Sequence, residues 1–241
     1  MRLFDINCLQ TINSEMRIHK LAKDAVSAIT SGNRVFVHGG AATPTALLQG
    51  LVENAERLKD VELTHLHLMG NVPYMDPKYR GHFRGSAFFF GSNMRPVFEP
   101  GYMDYIPCFL SEIPNLFRGG RLPLDVALLH VSPPDARGYC TLGTSVDCAL
   151  AAAETAKVVV AQINPKMPRV MGDGLIHVSK IHHAIEVNDE IHEDKRAVLT
   201  EEERMIAKHC ASLIDDGATL QMGIGAIPDA VLSELTVVLL L

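Results

Sequence analysis

The feature that most constrains the fold is a repeated alternation between apolar runs of strand length and segments with helical periodicity. The runs that we predict as strands are residues 34–38, 61–68, 86–90, 125–131, 157–163, 176–179, 184–187 and 218–222. Helical patterns stand between many of these runs, and a strand followed by a helix returns most simply to a parallel neighbour. The chain is therefore predicted to be an α/β protein, with an open, mostly parallel sheet and flanking helices.

Helix boundaries are predicted from capping residues and from the spacing of apolar side chains. The predicted helices cover residues 18–29, 44–58, 145–156 and 201–214, and a last one begins near Pro228. Thr43 and Pro44 are suited to the N-cap and the first helical position of the second helix. Thr200 introduces the fourth helix, and its acidic first turn complements the helix dipole.

Charge and cysteine usage limit the classes of function. The 241 residues carry a formal net charge of −6, which disfavours a general binder of nucleic acid or of anionic membranes. The five cysteines include no C-x-x-C pair, so we expect free thiols rather than disulfides or a zinc cluster. The beginning of the chain has no apolar leader, and no run of 18 apolar residues occurs. We therefore predict a cytoplasmic protein.

Two glycine-rich turns are the first candidates for a binding site. The turn at Gly39-Gly40 follows the strand-like run 34–38, and the turn at Gly223-Ile224-Gly225 follows the run 218–222. Glycines let a ligand approach the backbone, and free amides before a helix favour phosphate, carboxylate or an oxyanion. Both turns could equally be tight strand-to-helix connections that need glycine only for its backbone conformation, and the residues leave these alternatives open.

Several familiar motifs are missing from the sequence. A dinucleotide fingerprint would need glycine at Pro228, and no Walker lysine follows either turn. The eleven histidines form no helical pair with a carboxylate at ligand spacing, so no metal site is predicted. Ser145 and Asp147 could join a histidine in a triad, but the G-x-S-x-G elbow is lacking.

The segment 164–174 is a second candidate region, because it follows the predicted strand 157–163. Open α/β sheets bind ligands at the carboxyl ends of their strands. Arg169 and Asp173 lie in this segment and are predicted to contact substrate. A solvated loop with a local ion pair is the alternative interpretation.

Three ordered stretches of sequence resemble a known family. The first is Ser132-Pro133-Pro134-Asp135-Ala136-Arg137-Gly138-Tyr139 with the following residues 142–147. The second comprises residues 164–169, 172–173 and 176–179, and the third is Gly223-Ile224-Gly225-Ala226-Ile227-Pro228-Asp229-Ala230-Val231. With these motifs the chain resembles the acetyl-CoA hydrolase/transferase family, and within it the 4-hydroxybutyrate CoA-transferases. The resemblance extends over about residues 10–236 and implies the CoA-transferase type of α/β fold.

The resemblance also implies a reaction and a co-substrate. Members of this family move CoA between carboxylic acids by a ping-pong route, in which a glutamate attacks the acyl-CoA thioester and becomes a glutamyl-CoA thioester. Coenzyme A is then a co-substrate and not a permanent cofactor, and the partners are acyl-CoA and small carboxylates. The residues that match the family's thioester-lining loop are Gln221, Gly223, Ile224, Gly225, Ala226 and Ile227. Gly39, Gly40, Arg169 and Asp173 are the corresponding predictions for substrate binding.

The resemblance lapses at the end of the sequence. The family's nucleophilic glutamate follows the helix after this loop; Glu234 lies within the helix, so we expect the nucleophile beyond Leu241 and no catalytic residue in the chain. The apolar run 237–241 could dock as a final strand, or the chain could be a piece of a longer protein; we favour the second interpretation. The resulting prediction is an N-terminal CoA-transferase-like domain over residues 1–190, and the truncated start of a second such domain over residues 191–241.

Three hypotheses remain from the sequence. The first is the N-terminal part of a CoA-transferase that is inactive by itself. The second is a non-catalytic α/β module that binds CoA or an acyl anion. The third, an isomerase acting on a phosphosugar, has no positive support beyond the glycine turns. Exposed apolar surface on a partial chain would also favour self-association, so a homo-oligomer is an expectation.

Overall fold

The computed structural model describes residues 16–193 and 198–235. The described residues form two compact units, one within residues 1–192 and the other within residues 193–241. The assignment of the second unit to a truncated CoA-transferase-like domain stays a prediction. The apolar run 237–241 lies outside the described residues.

An eight-stranded parallel sheet forms the centre of the first unit. Its strands are β1 (Arg17–His19), β2 (Arg34–Val37), β3 (Val61–His65), β4 (Phe83–Ala87), β5 (Met103–Tyr105), β6 (Val126–Val131), β8 (Val158–Ile163) and β10 (His183–Glu186). The order across the sheet is β1-β10-β8-β6-β2-β3-β4-β5, and all seven neighbouring pairs are parallel. The predicted fold class is confirmed.

The order of the strands reverses once, between β2 and β6. From β2 the chain adds β3, β4 and β5 on one side, and it then crosses to the other side of β2 to build β6, β8, β10. At such a switch point the loops after the two strands run in opposite directions. A crevice forms between them at the carboxyl ends of the strands.

Helices cover both faces of the sheet. The helices of the first unit are α1 (Ala22–Ala25), α2 (Thr45–Glu53), α3 (Ile113–Arg118) and α4 (Ala149–Thr155). Short 3₁₀ turns lie at Val26–Ala28, Ala55–Arg57, Pro73–Met75, Pro77–Tyr79, Arg95–Val97, Leu110–Glu112 and Val178–Lys180.

Alternate residues of the central strands enter two separate hydrophobic clusters. Val35 and Val37 pack on the face that α1 and α2 cover, while Phe36 packs on the face of α3 and α4. Because both faces of the sheet are buried, consecutive residues of these strands are mostly apolar. The alternation of apolar and polar residues that is typical of a half-exposed strand is therefore missing. β3 shows the same effect, since all five of its residues are buried, Glu62 and Thr64 included.

Some predicted boundaries were wrong. Residues 17–19 form the edge strand β1, so the predicted helix 18–29 shrinks to α1 and one 3₁₀ turn. Pro44, predicted as the first helical position, is instead the N-cap of α2, and that helix ends at Glu53. The strand predicted at residues 86–90 begins earlier, at Phe83, because pairing with β3 sets its register.

A small antiparallel ribbon extends from the carboxyl edge of the sheet. It consists of β7 (Tyr139–Thr141) and β9 (Leu175–His177), and the rings of Tyr139 and His177 contact each other across it. The ribbon connects the loops that follow β6 and β8.

The described part of the second unit consists of two helices, α5 (Glu201–Ala211) and α6 (Ala226–Glu234). The predicted start of α5 is confirmed, because Thr200 and Glu203 form a reciprocal capping box. The strand predicted at residues 218–222 was wrong: these residues form no ladder, since the described part of this unit contains no strand to pair with them. None of the described helices has both the length and the apolar character that a membrane span requires.

Candidate functional site

Buried polar residues gather at the carboxyl ends of the strands around the switch point. Thr141 belongs to the ribbon strand β7, and the others lie within or shortly after strands of the sheet. Each is at most 2% exposed: His38, Thr43, His130, Ser132, Thr141, Gln162 and Asn164. Polar side chains are buried at a cost unless they are hydrogen-bonded, so their partners indicate what this region is built to hold in place.

His38 follows β2 and joins three segments. The backbone amide of His130 donates to its Nδ1 atom at 3.2 Å, so the proton lies on Nε2. Nε2 donates to the carbonyl oxygen of Ser145 at 2.5 Å. Burial lowers the pKa of His38, and the ring therefore stays neutral at physiological pH.

His130, in β6, points to the opposite face of the sheet. Its Nε2 atom accepts from the Asn164 amide at 3.1 Å, with the Gln162 amide at 3.5 Å, which leaves the proton on Nδ1. That Nδ1–H makes no hydrogen bond of good geometry among the described residues, but the backbone of Thr43 and Ala42 lies beside the ring. Burial lowers the pKa of His130 to about 4, although the backbone of Thr43 and Ala42 partly opposes the shift.

The first turn of α2 is occupied by protein groups. Gln162 Oε1 accepts from the Ala46 amide at 3.1 Å, and the Leu48 amide donates to the Pro44 carbonyl at 3.0 Å. An anion would compete with these bonds. The prediction of anion binding at this helix end therefore lacks support from these contacts.

The loop 39–43 packs closely against neighbouring segments. The Gly40 amide donates to the His67 carbonyl at 2.7 Å, and Thr43 Oγ1 donates to the Gly40 carbonyl at 2.8 Å. A side chain on Gly39 would lie 2.8 Å from the His67 carbonyl oxygen, and one on Gly40 would lie 2.6 Å from Ser145 Oγ. Contacts within the protein thus explain why glycine occupies both positions. The role of Gly39 and Gly40 in substrate binding stays a prediction.

Two amides of this loop are left without a protein acceptor. Neither the Gly39 nor the Ala41 N–H donates a hydrogen bond among the described residues. Gly39 is buried and Ala41 is partly exposed, so water or a bound group can supply an acceptor at Ala41.

Ser145 and Asp147 do not form a triad with His38. The histidine contacts the backbone carbonyl of Ser145 and not its hydroxyl. Asp147 Oδ1 accepts from the Cys148 and Ala149 amides at 2.5 and 3.2 Å, so it caps the start of α4. The triad excluded by the sequence analysis is also absent from this part of the described structure.

The two predicted residues in the loop 164–174 have different surroundings. Arg169 donates to Asp135 Oδ2 at 2.7 Å and to the Tyr139 carbonyl at 3.0 Å, which ties the loops after β6 and β8 together. Asp173 is exposed and is not the partner of Arg169. The local ion pair considered as the alternative is present, with Asp135 as its acid; substrate binding by either residue stays a prediction.

The second glycine loop lies in the second unit and is open to solvent. Ile224 is 99% exposed, and Gly225 is the N-cap of α6 with a φ of 138°, a conformation that favours glycine. Within the described residues, no strand precedes this loop. Its assignment to CoA binding, for Gln221, Gly223, Ile224, Gly225, Ala226 and Ile227, stays a prediction.

The sequence analysis missed the central polar cluster. A signal was present: His38, His130 and Gln162 each end or interrupt a run of Val, Leu or Ala that is otherwise fully apolar. Single polar residues in three separate strands could not be grouped without the strand order. Among the described residues, no group of three His, Cys, Asp or Glu side chains is arranged to hold a metal.

Comparison with known proteins places this arrangement in a family. The model of the acetyl-CoA hydrolase/transferase N-terminal domain matches residues 13–207. The chain is 45% identical over 211 residues to the 4-hydroxybutyrate coenzyme A transferase of Clostridium kluyveri, covering 88% of this chain and 49% of that protein. It is 46% identical over 211 residues to a succinyl-CoA:acetate/propanoyl-CoA:succinate CoA transferase of Fasciola hepatica, covering 86% and 44%.

Solved structures agree with the sequence relatives. The 4-hydroxybutyrate CoA-transferase of Porphyromonas gingivalis superposes with a TM-score of 0.77 at 38% identity, covering 91% of this chain and 51% of that one. RipA of Yersinia pestis superposes with a TM-score of 0.84 at 25% identity, covering 95% and 55%. The chain spans about half the length of the curated relatives it matches. The predicted resemblance is confirmed, and the chain belongs to the acetyl-CoA hydrolase/transferase family.

Proposed function

We propose that this chain supplies the N-terminal half of a CoA-transferase, which moves CoA between an acyl-CoA and a free carboxylate. The observation that carries the proposal is the 45% identity over 211 residues to the Clostridium kluyveri transferase. The match includes the strands that surround the switch point, where ligands of open α/β sheets bind. Acyl-CoA, coenzyme A and small carboxylates are the proposed ligands.

The proposed chemistry exchanges one activated carbonyl for another. A glutamate carboxylate attacks the thioester carbonyl, the carbon–sulfur bond breaks, and an acyl-glutamyl anhydride and CoA thiolate form. The thiolate then attacks the glutamyl carbonyl, which releases the first carboxylate and leaves glutamyl-CoA. The acceptor carboxylate repeats the two steps in reverse, and backbone amides stabilise each oxyanion.

We assign the nucleophile to a part of the protein outside this chain. Glu234 is the last residue of α6, and the family pattern does not match a nucleophile to it. On this proposal the 241-residue chain binds acyl-CoA without turning it over.

Butyryl-CoA with labelled acetate tests the proposal, with binding measured by calorimetry and acetyl-CoA formation by chromatography. We expect binding without transfer, and the same result for Glu234→Gln. Transfer at an ordinary rate would contradict the assignment of the nucleophile but not the function. Absence of acyl-CoA binding would contradict the function itself.

The alternative is a module that binds CoA or an acyl anion and never takes part in catalysis. The two are separated by supplying the C-terminal half of the Clostridium kluyveri relative in trans. Transfer that depends on both halves supports the transferase, with the relative's half alone as the control. A complex of both halves that binds acyl-CoA and forms no product supports the binding module.

A further inference from the structure

The segment 188–192, which is called the strap below, follows β10 and crosses the carboxyl ends of the strands at the switch point. At its start, the Val187 amide donates to the carbonyl oxygen of Ile163, the last residue of β8, at 2.9 Å. At its end, the His192 ring lies against Gly70 in the loop after β3, since a side chain on that glycine would be 2.5 Å from His192 Cε1. β6 and β2 lie between β8 and β3 in the sheet, so the strap spans the switch point.

Polar contacts fasten the strap to the first unit. They join Asp189 to Asn164, Glu190 to Lys166, and His192 to Thr45. The Asn164 amide donates to the Asp189 carbonyl at 2.8 Å. His192 Nε2 lies 3.0 Å from Thr45 Oγ1, in the first turn of α2. None of residues 188–192 is buried. A segment that is held by a few exposed polar contacts opens at a small cost in free energy, without unfolding of the unit beneath it.

The strap adjoins polar side chains of the crevice on the side of α2. Asn164, which holds Asp189, also donates to His130 Nε2 at 3.1 Å. Asn164 is fully buried, and His130 is 2% exposed. Burial is the main cause of the lowered pKa of His130, and the charge of nearby His192 contributes to it. The strap therefore takes part in the burial of both side chains.

We propose that the strap is a reversible cover of the switch-point crevice, and that the contact between His192 and Thr45 is its latch. In the closed arrangement, which the structure shows, the strap shields His130 and Asn164. In the open arrangement these side chains meet solvent, and the acyl end of a thioester enters the crevice from the side of α2. The inference rests on the proposed function for the identity of the ligand, whereas the opening itself is measurable without one.

The rate at which diethyl pyrocarbonate modifies His130 tests the opening in the full 241-residue chain. Peptide mass spectrometry resolves the individual histidines, and initial rates are used because modification of His192 itself would release the latch. His130 is neutral at pH 7, so its rate of modification reports its exposure. Thr45→Val should raise this rate about fivefold, because one hydrogen bond of the closed arrangement is lost. Thr45→Ser keeps the hydroxyl and should leave the rate nearly unchanged.

Thr155→Val is the matched control, because it removes a hydroxyl that binds the Ala151 carbonyl within α4. It should not change the rate at His130. His65 is fully buried and bound to Tyr74, so it should stay unmodified in every variant. His192→Ala removes the latch from the other side and should also accelerate modification of His130. Unchanged rates in both latch variants, or an equal acceleration at His65, would overturn the strap as a cover.

Stopped-flow mixing with butyryl-CoA then connects the strap to the ligand. The association rate constant should rise in Thr45→Val and stay unchanged in Thr155→Val. Faster modification of His130 with an unchanged association rate constant would overturn the control of ligand entry. If no variant binds butyryl-CoA, the proposed function fails, while the modification rates of His130 still decide whether the strap opens.

Discussion

The Nε2 atom of His38 donates to the carbonyl oxygen of Ser145 at 2.5 Å, across 107 positions of sequence. This bond joins the end of β2 to the segment before α4, on the face of the sheet opposite to α2. The amide of His130 completes the contact from β6, so one neutral ring holds three segments together at the switch point.

Replacement of His38 by alanine should destabilise the first unit strongly. The change removes two hydrogen bonds and leaves a cavity under Ser145, so we expect a loss of about 3 kcal/mol in the free energy of unfolding. Urea unfolding followed by circular dichroism measures it. His209→Ala, on the exposed surface of α5, is the control and should change stability little. A loss of less than about 1 kcal/mol for the first variant would contradict this role.

The buried histidines predict a loss of stability in mild acid. Burial lowers the pKa of His65 to about 3 and that of His130 to about 4, against 6.5 for the ordinary side chain. Below pH 6.5 the unfolded chain therefore binds protons that the folded chain excludes. Stability is full above pH 6.5 and falls as the pH decreases, by about 1.4 kcal/mol per pH unit for each such histidine.

Urea titrations at several pH values between 5 and 7.5 check the sign and the slope. In His130→Asn the free energy of unfolding should depend less steeply on pH, because one of the two histidines no longer contributes. A stability that is constant over this range would show that these rings are not kept neutral by the fold.

Glu62 should matter for stability and not for ligand binding. Burial raises the pKa of this carboxyl, but hydrogen bonds from Arg34 and Ser86 outweigh that effect and lower it overall. Its oxygens contact Arg34 at 3.0 Å and Arg84 at 2.6 Å, at the amino ends of the strands and far from the switch point. Glu62→Gln removes the carboxylate partner of Arg34, while Arg84 keeps its contact with Asp60 at 3.0 Å, and we expect a loss of about 2 kcal/mol.

The exposed ion pair of Asp76 and Lys78 provides the comparison, and Asp76→Asn should leave the unfolding midpoint unchanged. Binding of butyryl-CoA should survive in the folded fraction of both variants. A butyryl-CoA affinity that falls with Glu62→Gln alone would contradict the separation of the two sheet edges.

Gly40→Ala should disturb the loop through two separate effects. Gly40 has a φ of 57°, which is unfavourable for alanine, and the added methyl group would lie 2.6 Å from Ser145 Oγ. Gly32→Ala is a matched control, because its φ is 75° and the space around it is open. In both variants we expect the unfavourable backbone conformation to lower the free energy of unfolding by about 1 kcal/mol. Only Gly40→Ala should show an additional loss, from the contact with Ser145.

The double variant Gly40→Ala with Ser145→Ala tests the contact directly. Removal of the hydroxyl should restore the stability lost through the contact, but not the stability lost through the backbone conformation. A double-mutant cycle by urea unfolding measures the two contributions. Strictly additive effects would show that the hydroxyl moves aside freely.

Ile224→Asp should separate stability from CoA binding in the second unit. The side chain is 99% exposed, so its replacement should leave the unfolding midpoint unchanged. The sequence-based assignment of this loop to CoA predicts a weaker affinity for butyryl-CoA, because a carboxylate would repel the anionic ligand. Calorimetry measures it, with Leu213→Asp as the control at another exposed apolar position. Equal affinities in both variants would contradict the assignment.

The sequence by itself determined the fold class and the family. A run such as residues 126–131, which is apolar except for His130 and buried along its whole length, fits a parallel sheet covered by helices on both faces. That constraint is visible in the sequence because it acts on consecutive residues. The capping box of Thr200 and Glu203 was predictable for the same reason, since both partners lie within one turn.

Only the tertiary structure decided which residues meet. The strand predicted at residues 218–222 is absent because a strand needs a neighbour, and local pattern cannot supply one. Arg169 is paired with Asp135, 34 positions away, and not with Asp173. The cluster of His38, His130 and Ser145 arises because strand order brings β2 beside β6, and that order depends on packing of the whole sheet rather than on any stretch of sequence.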